Sequence, residues 1–156
     1  MLLNFRMYVF NTEYYEEEFR KSGVYNSFPK EEANEQLNKL IHYLKTDQPL
    51  TNTFFNEKEK KHLEDVKRLI QKTLIIFYCS IVLLPMLLFR NRKGLTRPFL
   101  YSGVLLISIP LVLSIINFQF TFIIFHELLF TNNFWVLNPE TDNLIKLFPE
   151  QFFYDT

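Results

Sequence analysis

Two uncharged apolar spans on either side of one basic loop constrain the fold of this chain more than any other feature. The spans are residues 73–89 and 98–125, and the loop is residues 90–97. A helix needs roughly 17–25 apolar residues to cross a hydrocarbon core of about 30 Å, and both spans reach that length. A chain of 156 residues has little room to bury a charge-free run as long as the second span. We therefore predict two transmembrane helices rather than two helices buried in a soluble core.

The distribution of charge predicts how the two spans and their connecting loop are oriented in the membrane. The loop carries four basic residues and no acidic residue, whereas the formal net charge of the whole chain is zero. Short cytoplasmic loops are enriched in lysine and arginine, so the loop is predicted to face the cytoplasm. Basic residues form no patch elsewhere in the sequence, which argues against a nucleic-acid partner. The single cysteine, Cys79, excludes a disulfide within the chain and a metal site built on thiolates.

The predicted fold class is a mainly α membrane protein, an antiparallel transmembrane helix hairpin with a small extracytoplasmic head of helices and short strands. Residues 1–72 are predicted to form an extracytoplasmic segment that runs into the first span, and residues 73–89 the first transmembrane helix. Residues 90–97 are predicted to form the cytoplasmic basic loop, residues 98–125 the second transmembrane helix, and residues 126–156 an extracytoplasmic aromatic tail. The many aromatic residues of the tail are typical of a membrane interface. We therefore expect an integral protein of the cytoplasmic membrane whose active side is extracytoplasmic.

Local patterns predict two helices in the head. Residues 29–45 fit an amphipathic helix with proline in its first turn and an apolar stripe of Leu37, Leu40, Ile41 and Leu44. Asn56 followed by Glu59 fits a capping box, in which each residue satisfies a backbone N–H group of the other. The helix that this box begins is predicted to run without a break into the first span.

Shorter elements are predicted from shorter patterns. Residues 51–55 and 134–137 are predicted as short strands. Residues 144–148 are predicted as one helical turn, with Asp142 near its start. These elements complete the head on the side of the membrane opposite the basic loop.

Two histidines fall on the same predicted side of the membrane. His62 precedes the first span and His126 closes the second, and antiparallel neighbours joined by a short loop bring both to one interface. Asp65 is one helical turn from His62, and Glu127 follows His126, so each imidazole has a carboxylate near it. Such a pair can act as acid and base near neutral pH. Two other interpretations stay open: interfacial polar groups without a catalytic role, and a metal site of both histidines with a carboxylate.

Other groups fit a catalytic role less well. His126-Glu127 begins like the zinc-helix motif, but Phe130 stands where the second histidine is required. His42 lies on the amphipathic helix and fits a solvated or packed residue. The cysteine and the nearest serine lie deep in the first span, so the attacking group is expected to come from the substrate or from water. No cofactor and no metal ion is predicted.

Three segments resemble elements of one membrane family. The run His62-Leu63-Glu64-Asp65-Val66-Lys67 resembles the His-x-x-Asp-Val-Lys element of the lipoprotein intramolecular transacylases, the Lit or DUF1461 family. The tail resembles the family's second signature through Phe125-His126, Phe130, Asn133, Trp135, Pro139, Asp142, Leu144-Ile145, Phe148-Pro149-Glu150 and Phe152-Phe153. The opening Leu3-Asn4-Phe5-Arg6 with Tyr8 resembles the segment after the family's first membrane helix. Since the family usually has four spanning helices, this chain is expected to lack the first and the last.

The resemblance implies an acyl shift on lipoproteins, from the glyceryl group on the N-terminal cysteine to the α-amine of that cysteine. It implies catalytic roles for His126 and His62. It also implies that the partners are membrane lipids and the lipidated N-termini of lipoproteins. We hypothesise that His126 is the general base for the amine, and that His62, oriented by Asp65, relays the proton or protonates the leaving glyceryl oxygen.

The remaining candidate residues have supporting roles. Asn133 or backbone N–H groups are expected to stabilise the oxyanion. Glu127, Trp135 and Asp142 lie beside or within the matched signatures and are expected to shape the site. Two alternative functions remain open at this point: a non-catalytic membrane-anchored docking or structural protein, and a metal-dependent membrane hydrolase.

Overall fold

The computed structural model describes residues 12–90, 98, 101–104, 108–109, 112–113 and 117–154. The helices are α1 (Thr12–Lys21), α2 (Val24–Ser27), α3 (Lys30–Lys45), α4 (Glu57–Arg90), α5 (Phe118–Leu129), α6 (Asn143–Leu147) and α7 (Glu150–Tyr154). The described residues between 98 and 113 are helical as well. Predictions for the opening segment, for loop residues 91–97 and for much of the second span lie outside the described residues.

The chain divides into two compact units. The first unit contains Met1–Glu64 and Phe134–Thr156, and the second contains Asp65–Asn133. Helix α4 contributes its first two turns to the first unit and its remainder to the second. The buried apolar core lies in the first unit, where α1 contacts α2, α3 and α7, and α2 contacts α3 and α6.

The first unit has an apolar core built mostly from helices. The predicted amphipathic helix is confirmed as α3, with Pro29 as its N-cap residue. Its stripe faces inward, since Leu37, Leu40 and Ile41 are buried and Leu44 packs against them. The predicted helical turn near Asp142 is confirmed as α6, and Asp142 is its N-cap residue. The buried core residues are Phe19, Val24, Ala33, Leu37, Leu40, Ile41, Tyr43, Phe55, Leu63, Leu144, Leu147 and Phe152.

Part of the aromatic tail packs inward rather than at a surface. Phe19 on α1 is fully buried and has Phe148 and Phe152 at ring-centroid distances of 5.8 and 6.0 Å. Tyr15 stacks on Phe152 at 5.9 Å, and Tyr25 meets Phe19 edge-on at 6.2 Å. Aromatic pairs at these distances add about 0.5–1.5 kcal/mol each beyond the area they bury. The end of the tail is therefore held against α1 by ring packing.

The two predicted short strands are wrong. In the described chain, bends, turns and irregular backbone occupy residues 51–55 and 134–137. A strand needs a neighbour whose N–H and C=O groups complete a ladder, whereas side chains satisfy the backbone here. The Asn143 amide donates to the Phe54 carbonyl at 2.7 Å, and the Lys58 ammonium donates to the Val136 carbonyl. These contacts join segments far apart in sequence, so a local pattern does not reveal them.

The capping box at the start of α4 is confirmed. The Asn56 side chain accepts a hydrogen bond from the Glu59 N–H group at 3.0 Å, and the Glu59 carboxylate accepts one from the Asn56 N–H group at 2.6 Å. As predicted, the helix then continues without a break through residues 73–89 and ends at Arg90, with Pro85 inside it. The cap therefore fixes where a 34-residue helix begins.

The second unit exposes its apolar residues. Beyond Lys72, α4 carries large hydrophobic side chains on successive positions, which differ by about 100° around the axis and so lie on all its sides. The exposed residues are Leu74, Ile75, Ile76, Tyr78, Ile81, Val82, Leu83 and Met86. Among the residues that the structure describes, no helix combines the length and the apolar character that crossing a membrane requires.

A helix boundary interrupts the second predicted span. Asn117 has extended backbone, and its side chain accepts a hydrogen bond from the Phe120 N–H group at 3.0 Å, so it is the N-cap of α5. The Asn117 N–H group bonds to the Leu113 carbonyl at 2.9 Å. The span predicted over residues 98–125 therefore contains the start of α5.

Gly23 is the residue that requires glycine in the turn between α1 and α2. Its φ is 76°, in the left-handed region, where an L side chain costs about 1–2 kcal/mol. A Cβ at this position would also lie 3.2 Å from the Asn26 side chain. We expect Gly23→Ala to lower the melting temperature by about 2–8 °C, measured by circular dichroism in detergent.

The matched control is Gly103→Ala. Gly103 is helical, and a Cβ added to it meets no atom of the described residues within 4 Å. Alanine is favoured over glycine in helices, so this variant should melt no earlier than the unmodified protein. Equal losses of stability in both variants would show that the turn does not depend on the backbone of Gly23.

Candidate active site

His126 is a buried polar residue of the second unit. It lies in the last turn of α5, and its Nδ1 atom is 2.7 Å from the Phe122 carbonyl oxygen, one turn earlier. A carbonyl oxygen only accepts hydrogen bonds, so Nδ1 must carry the proton. In the neutral ring, Nε2 then holds the lone pair. The helix backbone itself therefore sets the tautomer of this histidine.

Aromatic rings surround this imidazole. The Phe122 ring lies 4.0 Å from it at an interplanar angle of 37°, and the Phe130 ring lies 5.6 Å away at 35°. Phe125 approaches edge-on at 5.6 Å. His126 is 8% exposed, so the rings and the end of the helix exclude most water from it.

This burial lowers the pKa of His126 below the ordinary histidine value of about 6.5. Loss of hydration is the larger effect because the charged form depends on water. The hydrogen bond to the Phe122 carbonyl acts in the opposite direction and is the smaller effect. Burial therefore favours the neutral form of His126, which is the form that a general base needs.

Asp65 has partners in the second unit that the sequence did not indicate. The Asn132 side-chain amide donates to the Asp65 carboxylate at 2.8 Å. Arg68, one turn along α4, approaches the same carboxylate at 3.7 Å but is largely exposed. An exposed ion pair contributes little, so the amide contact is the stronger restraint. It joins α4 to the segment that follows α5.

His62 lies in the first unit, on the second turn of α4, and is 7% exposed. It follows the buried Glu59 by one turn and precedes the core residue Leu63. The Glu59 carboxylate accepts hydrogen bonds from the Asn56 and Leu144 N–H groups, at 2.6 and 2.5 Å. Backbone donors on both oxygens fix this carboxylate, and with it the helix turn that carries His62.

The predicted supporting residues fall in different environments. Asp142 accepts hydrogen bonds from the Asn138 N–H group, the Asn56 amide and the Thr141 hydroxyl. These bonds, above all the one from Asn138, hold the pKa of Asp142 below its usual value. The buried carboxylate therefore ties the tail to the start of α4.

The other predicted residues are more accessible. Glu127 and Asn133 are exposed, and Trp135 is half-buried. Sequence reasoning selected Asn133 and missed its neighbour Asn132, although both are amides in the same turn. No signal in a single sequence separates two adjacent asparagines, because the difference arises from the contact with Asp65.

Two further candidates are distinct from these groups. The exposed His42 has its Nε2 atom 3.2 Å from the Gln48 side-chain oxygen, and Cys79 is exposed on α4. Within the described ranges, no cluster of three or more histidine, cysteine, aspartate or glutamate side chains is placed to hold a metal ion.

Comparison with known proteins places this geometry in context. The model of the family described as "Lipoprotein intramolecular transacylase Lit" matches residues 1–153. A curated relative, an uncharacterized protein of Aquifex aeolicus (strain VF5), is 29% identical over 107 residues, which are 65% of this chain and 47% of the relative. The chain thus spans about half the length of the curated relative that it matches.

Solved structures are similar over almost the whole chain. One is the membrane integral lipoprotein intramolecular transacylase Lit from Bacillus cereus, with a TM-score of 0.73 and 28% identity over 96% of this chain and 74% of that one. Another is a variant of the same protein with a histidine replaced by alanine, with a TM-score of 0.67 and 28% identity over 96% of this chain and 72% of that one.

Proposed function

Because the chain belongs to the lipoprotein intramolecular transacylase Lit family, we propose that it transfers an acyl chain within the lipidated N-terminal cysteine of a lipoprotein. The α-amine nitrogen attacks the carbonyl carbon of the glyceryl ester, and an amide bond forms as the ester C–O bond breaks. The proton lost by the amine ends on the glyceryl oxygen, which leaves an N-acyl, lyso-form lipoprotein. The observation that carries the proposal is the buried His126 with its Nδ1 atom engaged by the helix backbone.

His126 is the general base in this proposal. An α-amine has a pKa of about 8, and its neutral form is the one that attacks an ester. As the C–N bond forms, the Nε2 lone pair of His126 accepts the proton that the nitrogen loses, while the Nδ1 bond to the Phe122 carbonyl keeps the ring oriented. Amine and ester belong to one molecule, so the substrate itself supplies proximity. No nucleophile from the protein is needed.

The other roles rest on the resemblance. His62 protonates the leaving glyceryl oxygen, and Asn133 or backbone N–H groups stabilise the oxyanion. Trp135 and Glu127 border the substrate at the membrane surface. The buried hydrogen bonds of Asp142 support a structural role for that residue.

The membrane is the proposed setting. Residues 73–89 and 98–125 form a transmembrane hairpin, the basic loop 90–97 faces the cytoplasm, and residues 1–72 and 126–156 are extracytoplasmic. The exposed hydrophobic side chains around α4 support this arrangement, since lipid is the medium in which such a surface is stable. The membrane-integral description of the similar Bacillus cereus structure supports it as well.

A crossover experiment tests the proposed reaction. The full chain in phospholipid vesicles would receive two diacylated lipopeptides, one with deuterated acyl chains and one with a ¹³C-labelled peptide. An intramolecular shift yields N-acyl lyso-form products in the two parental mass combinations alone, read by tandem mass spectrometry. Mixed masses would contradict an intramolecular transfer, and absence of lyso-form product beyond protein-free vesicles would contradict the function.

The pH dependence of kcat/KM is expected to reflect two titrating groups, the α-amine of the substrate and His126. The amine must be deprotonated, so log(kcat/KM) should rise with unit slope between about pH 6.5 and 8. Because burial lowers the pKa of His126, protonation of this base should steepen the slope only below the ordinary histidine value of about 6.5. A second break above pH 7 in the measured profile would contradict a neutral, buried base.

A further inference from the structure

Asn132 is bonded across the second unit to a residue far away in sequence. Its side-chain amide donates to the Asp65 carboxylate at 2.8 Å, and 67 positions separate the two residues. The Asp65 side chain is largely buried, with 19% of its surface exposed. A hydrogen bond to a charged acceptor is stronger than one between neutral groups, particularly away from water. The contact therefore fixes the backbone around Asn132 relative to α4.

This fixed segment is the one that packs on His126. Helix α5 ends in a cap in which the Phe130 N–H group bonds to the His126 carbonyl at 2.8 Å. Phe130 is 9% exposed, and its ring lies 5.6 Å from the imidazole. Asn132 follows Phe130 by two residues. Restraining Asn132 therefore restrains the ring that covers one side of the proposed base.

We infer that Asn132 is a positioning residue, which acts through Phe130 to hold His126 in the orientation and burial that base catalysis needs. The Asp65 carboxylate is the anchor of this contact. The effect of Asn132 on catalysis rests on the proposed function, whereas its effect on the position of His126 rests on the geometry of the second unit alone. It gives Asp65 a role at His126 besides the predicted orientation of His62.

Kinetics of two variants test the inference. Asn132→Ala removes the amide and should lower kcat about tenfold with KM nearly unchanged, since small misplacements of a catalytic group cost up to about 100-fold. The matched control is Thr131→Ala, an exposed neighbour in the same turn, which should keep full activity. Unchanged kcat in N132A, or an equal loss in T131A, would overturn the inference.

Exchanging the amide and the carboxylate between positions 65 and 132 distinguishes loss of this hydrogen bond from a general disruption of the fold. N132D places two carboxylates together and should lose at least as much activity as N132A. The double variant D65N/N132D restores an amide facing a carboxylate, so the pKa of His126 should return toward its value in the unmodified protein. The readout is this titration rather than activity, because Asp65 is also proposed to orient His62. A His126 titration in the double variant no closer to the unmodified protein than in N132D would contradict a positioning role for this contact.

A measurement that needs no substrate tests this inference independently of the proposed function. Titration of His126 by ¹⁵N NMR should show its pKa rising toward about 6.5 in N132A, because the ring becomes hydrated. N132A replaces a neutral residue, so the charged side chains on α4 and α5, among them Asp65, Arg68 and Glu127, are the same in both proteins. An unmoved titration in N132A overturns the inference even if the protein proves to have no transacylase activity.

Discussion

Replacing His126 with glutamine should lower the rate of N-acylation by about 10²- to 10⁴-fold, the range that positioned acid–base groups contribute. The glutamine amide can still donate to the Phe122 carbonyl, so the contact at 2.7 Å has a substitute. What the variant loses is the lone pair that accepts the proton of the amine. The measurement is the initial rate of lyso-form product from a diacylated lipopeptide, by mass spectrometry.

The control for this variant is His42→Gln. His42 is exposed on α3, with its Nε2 atom near Gln48, and it has no part in the proposed reaction. We expect H42Q to retain full activity, and circular dichroism of both variants to match the unmodified protein. A folded H126Q protein with more than about a tenth of the normal rate would contradict the assignment of His126 as the base.

The largest expected loss of stability comes from Glu59→Ala. Glu59 is 1% exposed and accepts hydrogen bonds from the Asn56 and Leu144 N–H groups. Leaving a buried donor without its acceptor costs about 1–3 kcal/mol, and loss of a helix cap adds about 0.5–2 kcal/mol. We expect the free energy of unfolding to fall by about 2–5 kcal/mol and the melting temperature by about 5–15 °C.

Glu57→Ala is the matched comparison. Glu57 lies in the same first turn of α4, its side chain is 84% exposed, and it pairs only with Lys60 among the described salt bridges. Surface substitutions of this kind usually change stability by less than about 0.5 kcal/mol. If E59A melts at the same temperature as E57A, the contact of Glu59 with α6 does not stabilise the first unit.

Short sequence patterns correctly predicted the elements that depend on residues close together in the chain. The apolar stripe of α3 and the capping box of Asn56 and Glu59 depend on residues three or four apart, and both were confirmed. The short strands were wrong because distant side chains, Asn143 and Lys58, bind the backbone that a strand would have paired. Composition also assigned the tail aromatics to an interface, whereas Phe152 lies in the core of the first unit and Phe148 packs against it.

In the candidate site, too, the sequence pointed to individual residues but not to contacts between residues that are distant in the chain. The sequence identified His62 and His126 through their positions beside the apolar spans and through the family resemblance. It did not reveal that the Phe122 carbonyl sets the tautomer of His126, or that the cap at Phe130 covers the ring. The second donor to the Glu59 carboxylate, the Leu144 N–H group, lies 85 positions away. Such contacts depend on the tertiary fold and are outside the reach of spacing rules.

The protonation state of His126 is the most direct test of this account. The full chain would be labelled with ¹⁵N-histidine in lipid nanodiscs, and its signals assigned by their absence in H126Q and H42Q. At pH 7 we expect a neutral His126 ring with a protonated Nδ1 and an unprotonated Nε2. A doubly protonated ring at pH 7, or a neutral ring with its proton on Nε2, would contradict the account.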